Sequence, residues 1–569
     1  MAKSNHPSRQ NQRERFIALA HDYEKAYFEN FPEMGVFWGK KDVAYDYFRD
    51  HSHVATLRWQ QREDEFLSAL AQIDVKALQD TPEYITYNLL KGTLENNQGA
   101  RVCHESLWHI NPTFAGWHMI STRIAEKQPV GTPENRQMAI KRWNTFSKTV
   151  DDEINNLKLG ISKGYTAPKT AVRIVLKQLQ IILKNSPETS PYFTMAERDT
   201  DPQFKATITE LIKNQIHPAL QRYANFLEND YMPYARDQVG VSALPDGVAC
   251  YQAKVKQETT LNMDPQKIHE FGLQHMEQLK SEVATIGMDE FGLEDMSAIF
   301  QEAKTRPEYL FKSEAEILSY NYAAFERAKS KMSAWFGIIP KSEAIIKPYP
   351  EYRAKTGASG EYSPPSEDGT QPGTYYINTY NPTAKSRVDQ EAILFHELIP
   401  GHHLQVAISY EDKSHHSLDK YLWNAGFGEG WALYAERVAD EMNLYTDEIS
   451  RLGMLANETL RTARLVVDPG LHVMNWTREE AIEYMKQHTA MSDFIIEGEV
   501  DRYIMLPGQA TSYMLGKQQI DLLRHLAEKK MGNHFDIREF HAQVLKNGAV
   551  TLPMLQEQIN HWIESKLEK

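Results

Sequence analysis

The sequence predicts a mainly α fold with many helices and one small antiparallel β element. Apolar residues recur at three-to-four spacing through most of the 569-residue chain, which is the periodicity of amphipathic helices. A single strand signal, GTYYINT at 373–379, lies in a segment rich in Pro, Gly, Ser and Thr. A chain of this length forms more than one subdomain. We therefore predict helical subdomains at 1–240 and 241–569, with a β/loop segment at about 345–385 in the second.

The helices of the first subdomain are predicted from apolar periodicity that persists from residue 12 to about 240. One helix opens on a capping residue, because Thr81 precedes the segment PEYITYNLLKGTLENN and a threonine side chain can accept from the free N–H groups of a first turn. Each apolar stripe needs a partner surface, so the helices are expected to pack on one another and to bury their aromatic and methionine side chains.

The second subdomain is also predicted to be helical on both sides of its strand signal. Helical periodicity continues from 241 to the strand segment and resumes from about 391 to the C-terminus. We expect the small sheet or hairpin at 373–379 to pass beside the helix at 391–410. The alternative for this segment is a connecting loop.

Composition argues against two classes of partner. With 41% hydrophobic and 25% charged residues the chain is an ordinary globular protein, and its net charge of −14 argues against nucleic-acid binding. No run approaches eighteen apolar residues, so we predict no membrane span, and the charged N-terminus lacks the apolar core of a signal peptide. These features predict a cytoplasmic location, or a periplasmic or lipoprotein one if the sequence is a trimmed piece.

The two cysteines, Cys103 and Cys250, are too few for a disulfide framework, and neither belongs to a Cys-x-x-Cys pair. We expect two buried, inert thiols, with a single bridge as the alternative.

The stretch EAILFHELIPGHHLQVAISY at 391–410 carries the strongest chemical signal. His396 is followed at once by Glu397, and His402 and His403 come within two further turns. Zinc hydrolases use such His-Glu pairs, in which neutral imidazoles bind the ion and the adjacent carboxylate takes a proton from water. The stretch therefore predicts a metal site with a glutamate base.

The spacing of these histidines departs from the usual H-E-x-x-H of a zinc-binding helix. At about 100° per residue, His396 and His402 would point about 120° apart on a continuous helix. Pro400 removes a backbone donor and Gly401 tolerates unusual conformations, so a break between them is permitted. Such a break would bring His402 beside His396. The alternative is a helix that ends at Pro400, with the later histidines capping its carbonyls.

A second segment, NAGFGEGWALYAERVAD at 424–440, supplies acids for such a site. Glu429 follows His402 within the roughly 20–30 residues at which zinc enzymes with a glutamate ligand place their third ligand. Glu436 lies two turns later on the same side and suits a role in orienting a ligand histidine through its free ring N–H. The alternative for Glu429 is an acid that complements the dipole at a helix N-terminus.

The three motifs HELIPGHHLQ, EGWALYAE and RYIMLPGQATSYMLGK together resemble the bacterial family known as domain of unknown function 885, which is grouped with the gluzincin metallopeptidases. More distantly, the layout is similar to angiotensin-converting enzyme, thermostable carboxypeptidases and dipeptidyl-peptidase III. The resemblance implies a gluzincin-like fold with a deep cleft and one zinc ion on His396, His402 and Glu429. It implies Glu397 as general base, with His403 as the alternative second ligand; the Gly-His pair of the relatives favours His402.

Further site residues are predicted from the same resemblance and from residue type. Arg502-Tyr503 resembles an Arg-Tyr pair of the angiotensin-converting type, and Tyr513 resembles a tyrosine of the carboxypeptidase relatives; either would stabilise the oxyanion. For each tyrosine the alternative is simple packing. Other predicted roles are a substrate hydrogen bond from His472, with a capping or surface role as its alternative, and substrate contacts from Tyr375, Arg464 and Arg502. The alternative for Arg464 is an ion pair within its own helix with Asp468, four residues later. Arg461 belongs to the same pool of cations.

The leading prediction is a zinc-dependent metallopeptidase that hydrolyses short peptides. Two alternatives remain open. In the first, the metal hydrolyses a non-peptide amide. In the second, the chain is a catalytically inactive, metal-stabilised binding protein. The expected partners are a peptide or small amide substrate and one Zn²⁺ ion.

Overall fold

The computed structural model describes residues 8–40, 42–350, 359–366 and 370–568. The fold is 72% helix and 3% strand, which confirms the mainly α prediction. The α-helices of the described residues are numbered α1 to α24 in chain order: Arg9–Asn30, Pro32–Phe37, His53–Leu70, Pro82–Ala100, Trp117–Lys127, Pro133–Asn144, Phe146–Lys163, Lys169–Leu183, Thr194–Glu197, Pro202–Leu211, His217–Asn225, Gly247–Thr259, Pro265–Phe291, Met296–Thr305, Glu314–Trp335, Gln390–Glu397, His402–Glu411, Ala425–Glu441, Glu448–Val473, Arg478–His488, Asp493–Met505, Ser512–Met531, Ile537–Leu545 and Leu552–Leu567.

Shorter helical turns connect these helices. The π-helical turns are Ile212–Ile216 and Phe226–Tyr231. The 3₁₀ turns are Val75–Leu78, Arg101–Cys103, Glu105–Leu107, Pro187–Thr189, Pro191–Phe193, Met232–Tyr234, Val241–Ala243, Pro307–Tyr309, Pro382–Ala384, Ser417–Lys420, Gln509–Thr511 and Gly532–His534. None of the helices in the described residues is long and apolar enough to cross a bilayer.

The chain divides into two compact units. The first comprises Met1–Gln79, Asn97–Tyr251 and Gly498–Leu506, and the second comprises Asp80–Asn96, Gln252–Glu497 and Pro507–Lys569. Each unit is therefore built from three stretches of chain, whereas the predicted boundary at residue 240 gives two continuous halves.

The first unit has its own core, in which aromatic side chains meet edge to face. Trp143 lies 5.0 Å from Phe48 and 5.4 Å from Tyr192 between ring centroids, both in T-shaped arrangements. The unit also contains a disulfide between Cys103 and Cys250, whose Cα atoms are 4.7 Å apart. The expectation of two inert thiols was therefore wrong, and the alternative of a single bridge is the one that the structure has. Local spacing does not encode this pairing, because it joins positions 147 residues apart in sequence.

The second unit is held by long helices that approach closely. Helix α18 (Ala425–Glu441) packs on α22 (Ser512–Met531) through glycines, and a Cβ placed on Gly430 would lie only 2.5 Å from the Cα of Gly516. Helix α19 (Glu448–Val473) is capped by Asp447, whose side chain accepts from the N–H of Ser450 at 3.0 Å. These helices fix the positions of the candidate site residues.

The small sheet of the second unit has three strands, β1 (Ala344–Pro348), β2 (Gly360–Ser363) and β3 (Gly373–Ile377), in the order β1-β3-β2. The predicted strand is the central one. It pairs antiparallel with β2, as expected, and parallel with β1, so the sheet is mixed rather than purely antiparallel. Strand β1 was missed because the run AIIKP is too short to stand out. Residues 351–358 and 367–369 of the predicted β/loop segment lie outside the described residues.

Candidate metal centre and active site

The helix that carries the His-Glu pair breaks immediately after it. Helix α16 (Gln390–Glu397) ends at Glu397 and α17 begins at His402, while Leu398 and Gly401 between them have non-helical ψ angles of −106° and −131°. The Ile399-Pro400 peptide is cis. A Cβ at Gly401 would collide with the carbonyl of His396, so the turn requires glycine. The predicted break is therefore present.

The backbone at this break is tied to the next helix. The indole N–H of Trp431, on α18, donates to the carbonyl of Pro400 at 3.0 Å. The N–H of His403 donates to the carbonyl of Leu398 at 2.9 Å. The buried carbonyls of Pro400 and Leu398 are therefore hydrogen-bonded, so the break leaves neither of them unsatisfied.

The break brings His396 and His402 together with Glu429. The Glu429 Oε2 lies 3.6 Å from the Nε2 of His396 and 3.5 Å from that of His402. The imidazole centroids are 4.8 Å apart and the rings are perpendicular. Ligands about 2.1 Å from a tetrahedral zinc ion lie about 3.4 Å from one another. These donor types, which all lie within 4.8 Å of one another, fit the ligand set of one zinc ion.

Glu436 supports the first histidine from behind, as predicted. The Nδ1–H of His396 donates to Glu436 Oε1 at 2.8 Å, which leaves Nε2 as the ring nitrogen that faces Glu429. The other oxygen of Glu436 accepts from the side-chain amide of Asn457 at 3.1 Å. Asn457 was missed in the sequence, because its partner lies 21 positions away on another helix.

The charges of the site shift the proton affinities of its members. Burial lowers the pKa of His396, but hydrogen bonds to Glu429 and Glu436 outweigh it and raise the pKa to about 9. Burial raises the pKa of Glu429, yet the two histidines hold it far below its usual range. The donor set thus attracts a positive charge, which a divalent cation would supply in place of a proton.

Glu397 lies at the last position of α16, next to His396 in sequence. Burial raises the pKa of its carboxyl, and the neighbouring His396 and His402 oppose that rise. A half-buried carboxylate with a raised pKa beside a metal-ligand set is suited to accept and return a proton.

His403 points to a different set of partners from His402. Its Nδ1 accepts from the hydroxyl of Tyr362 at 2.9 Å, and its Nε2–H donates to the carbonyl of Ser342 at 3.1 Å. Both ring nitrogens are used, so His403 as the alternative ligand was wrong. Tyr362, on β2, was missed because strand pairing, rather than spacing, brings it to this helix.

Tyr375 is fully buried in the central strand β3. Its ring packs against Gly360, where an added Cβ would lie 2.5 Å from the ring. Burial raises the pKa of the Tyr375 hydroxyl well above its usual value, and the negative charge of Glu397 raises it further. The predicted substrate contact by this side chain is therefore wrong, because none of the side chain is exposed to a ligand.

Arg461, Arg464 and Tyr513 come together, as members of α19 and α22. The guanidinium carbons of Arg464 and Arg461 lie 4.7 Å and 5.7 Å from the Tyr513 ring centroid. Arg461 also acts electrostatically on Glu397. His472 is fully buried in the last turn of α19, which excludes the surface alternative for it.

Arg502 and Tyr503 lie on Gly498–Leu506, which belongs to the first unit. Within that unit both residues contact Glu499. The hydroxyl of Tyr503 donates to Glu499 Oε2 at 2.6 Å, and a guanidinium N–H of Arg502 donates to the same oxygen at 2.9 Å. Their predicted roles at the oxyanion and the substrate remain predictions.

Comparison with known proteins identifies the family of most of the chain. The model of a family described as bacterial protein of unknown function (DUF885) matches residues 32–559. No curated protein matches the chain significantly.

Two solved structures share the fold. A Colwellia psychrerythraea protein named "putative lipoprotein" is 24% identical, with a TM-score of 0.89 over 97% of this chain and 100% of that one. A Shewanella oneidensis protein named "putative lipoprotein of unknown function" is 17% identical, with a TM-score of 0.78 over 96% and 99%. At these identities the likeness extends to the fold.

Proposed function

The chain belongs to DUF885, a bacterial family of unknown function, and we propose that it is a zinc-dependent metallopeptidase that cleaves short peptides. The observation that carries this proposal is the convergence of His396, His402 and Glu429 within 4.8 Å of one another. Glu397, next to His396 in sequence, interacts electrostatically with all three. We assign the arrangement to the gluzincin type, in which a helix following the His-Glu pair supplies a glutamate ligand.

His396, His402 and Glu429 would hold the zinc ion, which when bound acidifies water and polarises the scissile carbonyl. Glu397 would take a proton from the attacking water and pass it to the leaving amine. Glu436 would keep His396 in the tautomer whose Nε2 is free to bind. Arg461 and Arg464, around Tyr513, are the cations of the second unit best suited to a peptide carboxylate.

The location proposed for this activity is outside the cytoplasm, in place of the cytoplasmic expectation. The Cys103–Cys250 disulfide supports it, because such bonds persist in oxidising compartments. The two proteins of the same fold that are named as lipoproteins also support it. Fractionation of the native host would test it: recovery of the chain in the cytoplasm with both thiols reduced would contradict the proposal.

The test of the catalytic proposal combines metal analysis with peptide cleavage. The purified chain is expected to hold about one zinc per molecule and to cleave members of a peptide library followed by mass spectrometry. Glu397→Gln should keep the zinc and lose cleavage by about 10²–10⁴-fold, because only the base is removed. The matched control is Glu448→Gln, a half-exposed glutamate paired with Arg451, which should change neither.

Other outcomes of the zinc and cleavage measurements would indicate a different function. Absence of stoichiometric zinc would contradict the proposal. Zinc with cleavage of a non-peptide amide alone would make the chain an amidohydrolase. Zinc with no turnover on any amide would make it a metal-stabilised binding protein.

A further inference from the structure

A cavity of about 520 Å³ lies in the first unit, between α1, α3, α5 and α7. Its volume falls within the range of about 300–1,000 Å³ that is usual for small-molecule sites. No residue of this cavity belongs to the metal centre, and no sequence motif pointed to it. The cavity is therefore a candidate binding site separate from the metal centre.

Aromatic rings form one wall of the cavity. Tyr27, Phe31 and Trp59 all line it, and their rings pack together with centroids 5.0 Å apart for Tyr27–Phe31 and 5.2 Å for Phe31–Trp59. Trp117 and Phe146 line it as well. Such a wall offers flat apolar surface for a ligand body and negative ring faces for a cation.

The charged groups of the lining are mostly acidic. One guanidinium, that of Arg49, and two histidines, His51 and His109, stand against four carboxylates. These carboxylates belong to Glu33, Asp50, Glu105 and Glu153. The lining thus favours a positively charged ligand over an anion.

Most of these acids already have partners inside the protein. Glu153 is hydrogen-bonded to His51, and Asp50 accepts from the N–H of Ser52 at 3.0 Å. Glu105 lies 3.4 Å from the Nε2 of His109. These three acids contribute negative charge to the cavity, but their hydrogen bonds and ion contacts are made within the protein.

Glu33 is the exception. Its side chain is only 7% exposed, and its Oε1 accepts from the N–H of Arg49 at 2.9 Å. Its Oε2 is buried and has no hydrogen-bond partner among the residues that the structure describes. The nearby buried guanidinium of Arg142 gives its N–H groups to other acceptors, the carbonyls of Ala44 and Tyr47 and the amide of Gln128. A buried carboxylate oxygen left without a donor is costly, which a ligand N–H would relieve.

We propose that this cavity binds a small primary amine with an aromatic or branched apolar body. The ammonium group donates to Oε2 of Glu33, and the apolar body rests on the ring of Trp59 and its neighbours. The proposal uses no residue of the metal centre, so it stands or falls independently of the proposed peptidase activity.

The test is isothermal titration of the full chain with 2-phenylethylamine and with 2-phenylethanol, which differ only in the charged donor. The amine is expected to bind at least about tenfold more tightly than the alcohol, because its hydrogen bond to Glu33 is charge-assisted. Glu33→Gln should abolish that difference while leaving the circular dichroism spectrum unchanged. Glu448→Gln, on a helix of the second unit, is the matched charge control.

A second variant guards against loss of folding in Glu33→Gln. Thr56→Trp fills the cavity from its lining and leaves Glu33 in place, so it should abolish binding of both compounds in a chain whose circular dichroism spectrum and urea midpoint match those of the wild type. Equal affinities for amine and alcohol in the wild type, unaltered amine binding in either variant, or no saturable amine binding at millimolar concentration would each overturn the proposal.

Discussion

Two buried acids, Glu436 and Glu458, lie on adjacent helices of the same unit but have opposite kinds of partner. Glu458 faces cations: Arg437 donates to Oε2, Lys517 lies 3.4 Å from Oε1, and His275 contacts Oε1 at 2.9 Å. Glu436 faces the uncharged amide of Asn457 and the imidazole of His396. Neighbouring positions along two helices thus belong to two clusters of different electrostatic character.

The difference separates a structural ion-pair network from a site that attracts a cation. Lys517 and Arg437 hold the pKa of Glu458 well below its usual range against the opposing effect of burial. In the cluster around Glu436, by contrast, no Lys or Arg of the described part of the chain lies within ion-pair distance of Glu397, Glu429 or Glu436. Arg461 acts on Glu397 only at longer range. Such uncompensated acids are stable in a buried setting only with a proton or a metal ion.

The largest expected effect comes from removing a member of the cation-attracting cluster. His402→Ala should reduce bound zinc from about one per chain to below about one tenth, because three ligands define such a site and two hold the ion poorly. Metal content is read by mass spectrometry after dialysis. The adjacent His403→Ala is the matched control and should keep its zinc. Zinc loss in His403→Ala, with retention in His402→Ala, would reverse the ligand assignment.

The next largest effect should be a loss of stability in the ion-pair network around Glu458, with no change at the candidate metal centre. Glu458→Gln leaves Arg437 and Lys517 buried without their shared acid, which is expected to lower the free energy of unfolding by about 3–5 kcal/mol. The half-exposed pair Glu448–Arg451 provides the control, since Glu448→Gln should cost less than about 1 kcal/mol. Urea midpoints measure both. A Glu458 variant as stable as the control would remove the distinction between the clusters.

A smaller effect is expected where an acid acts on the metal through another residue. Glu436→Gln should weaken zinc affinity by about 10–100-fold, because the amide no longer favours the protonated Nδ1 of His396 as strongly. Competition with a chromophoric chelator measures the affinity. Glu441→Gln, which alters a glutamate paired with Arg524 on the same helix, should leave it unchanged. Equal affinities of the two variants would reduce Glu436 to a packing role.

The smallest effect is the dependence of the structural cluster on pH. Because the folded-state pKa of Glu458 lies well below its ordinary value of 4.5, its ion pairs contribute fully above that pH and are lost as the pH falls through the folded-state pKa. The stability difference between wild type and Glu458→Gln should therefore shrink by about 1.4 kcal/mol per pH unit below about pH 4.5. Urea titrations from about pH 6 to about pH 3 measure it, and a constant difference would contradict this prediction.

Much of the candidate site was predictable because its signals are local. Pro400 and Gly401 predict a break whatever surrounds them, and Glu429 follows at the distance expected of a glutamate ligand. The apolar periodicity of α18 and α19 likewise depends on near neighbours in sequence. Long-range pairings carried no such signal, and Cys103 with Cys250 is the clearest case.

By itself the sequence determined the mainly helical fold, the break after His396 and Glu397, and the acids available to a cation there, because helix periodicity, proline and glycine act within a few residues. Only the tertiary structure decided that His402 rather than His403 faces Glu429, that Tyr375 is buried, and that Glu33 lines an aromatic cavity. The direction of a side chain after a break, and the partner across a strand or between helices, depend on contacts among segments that are distant in the chain.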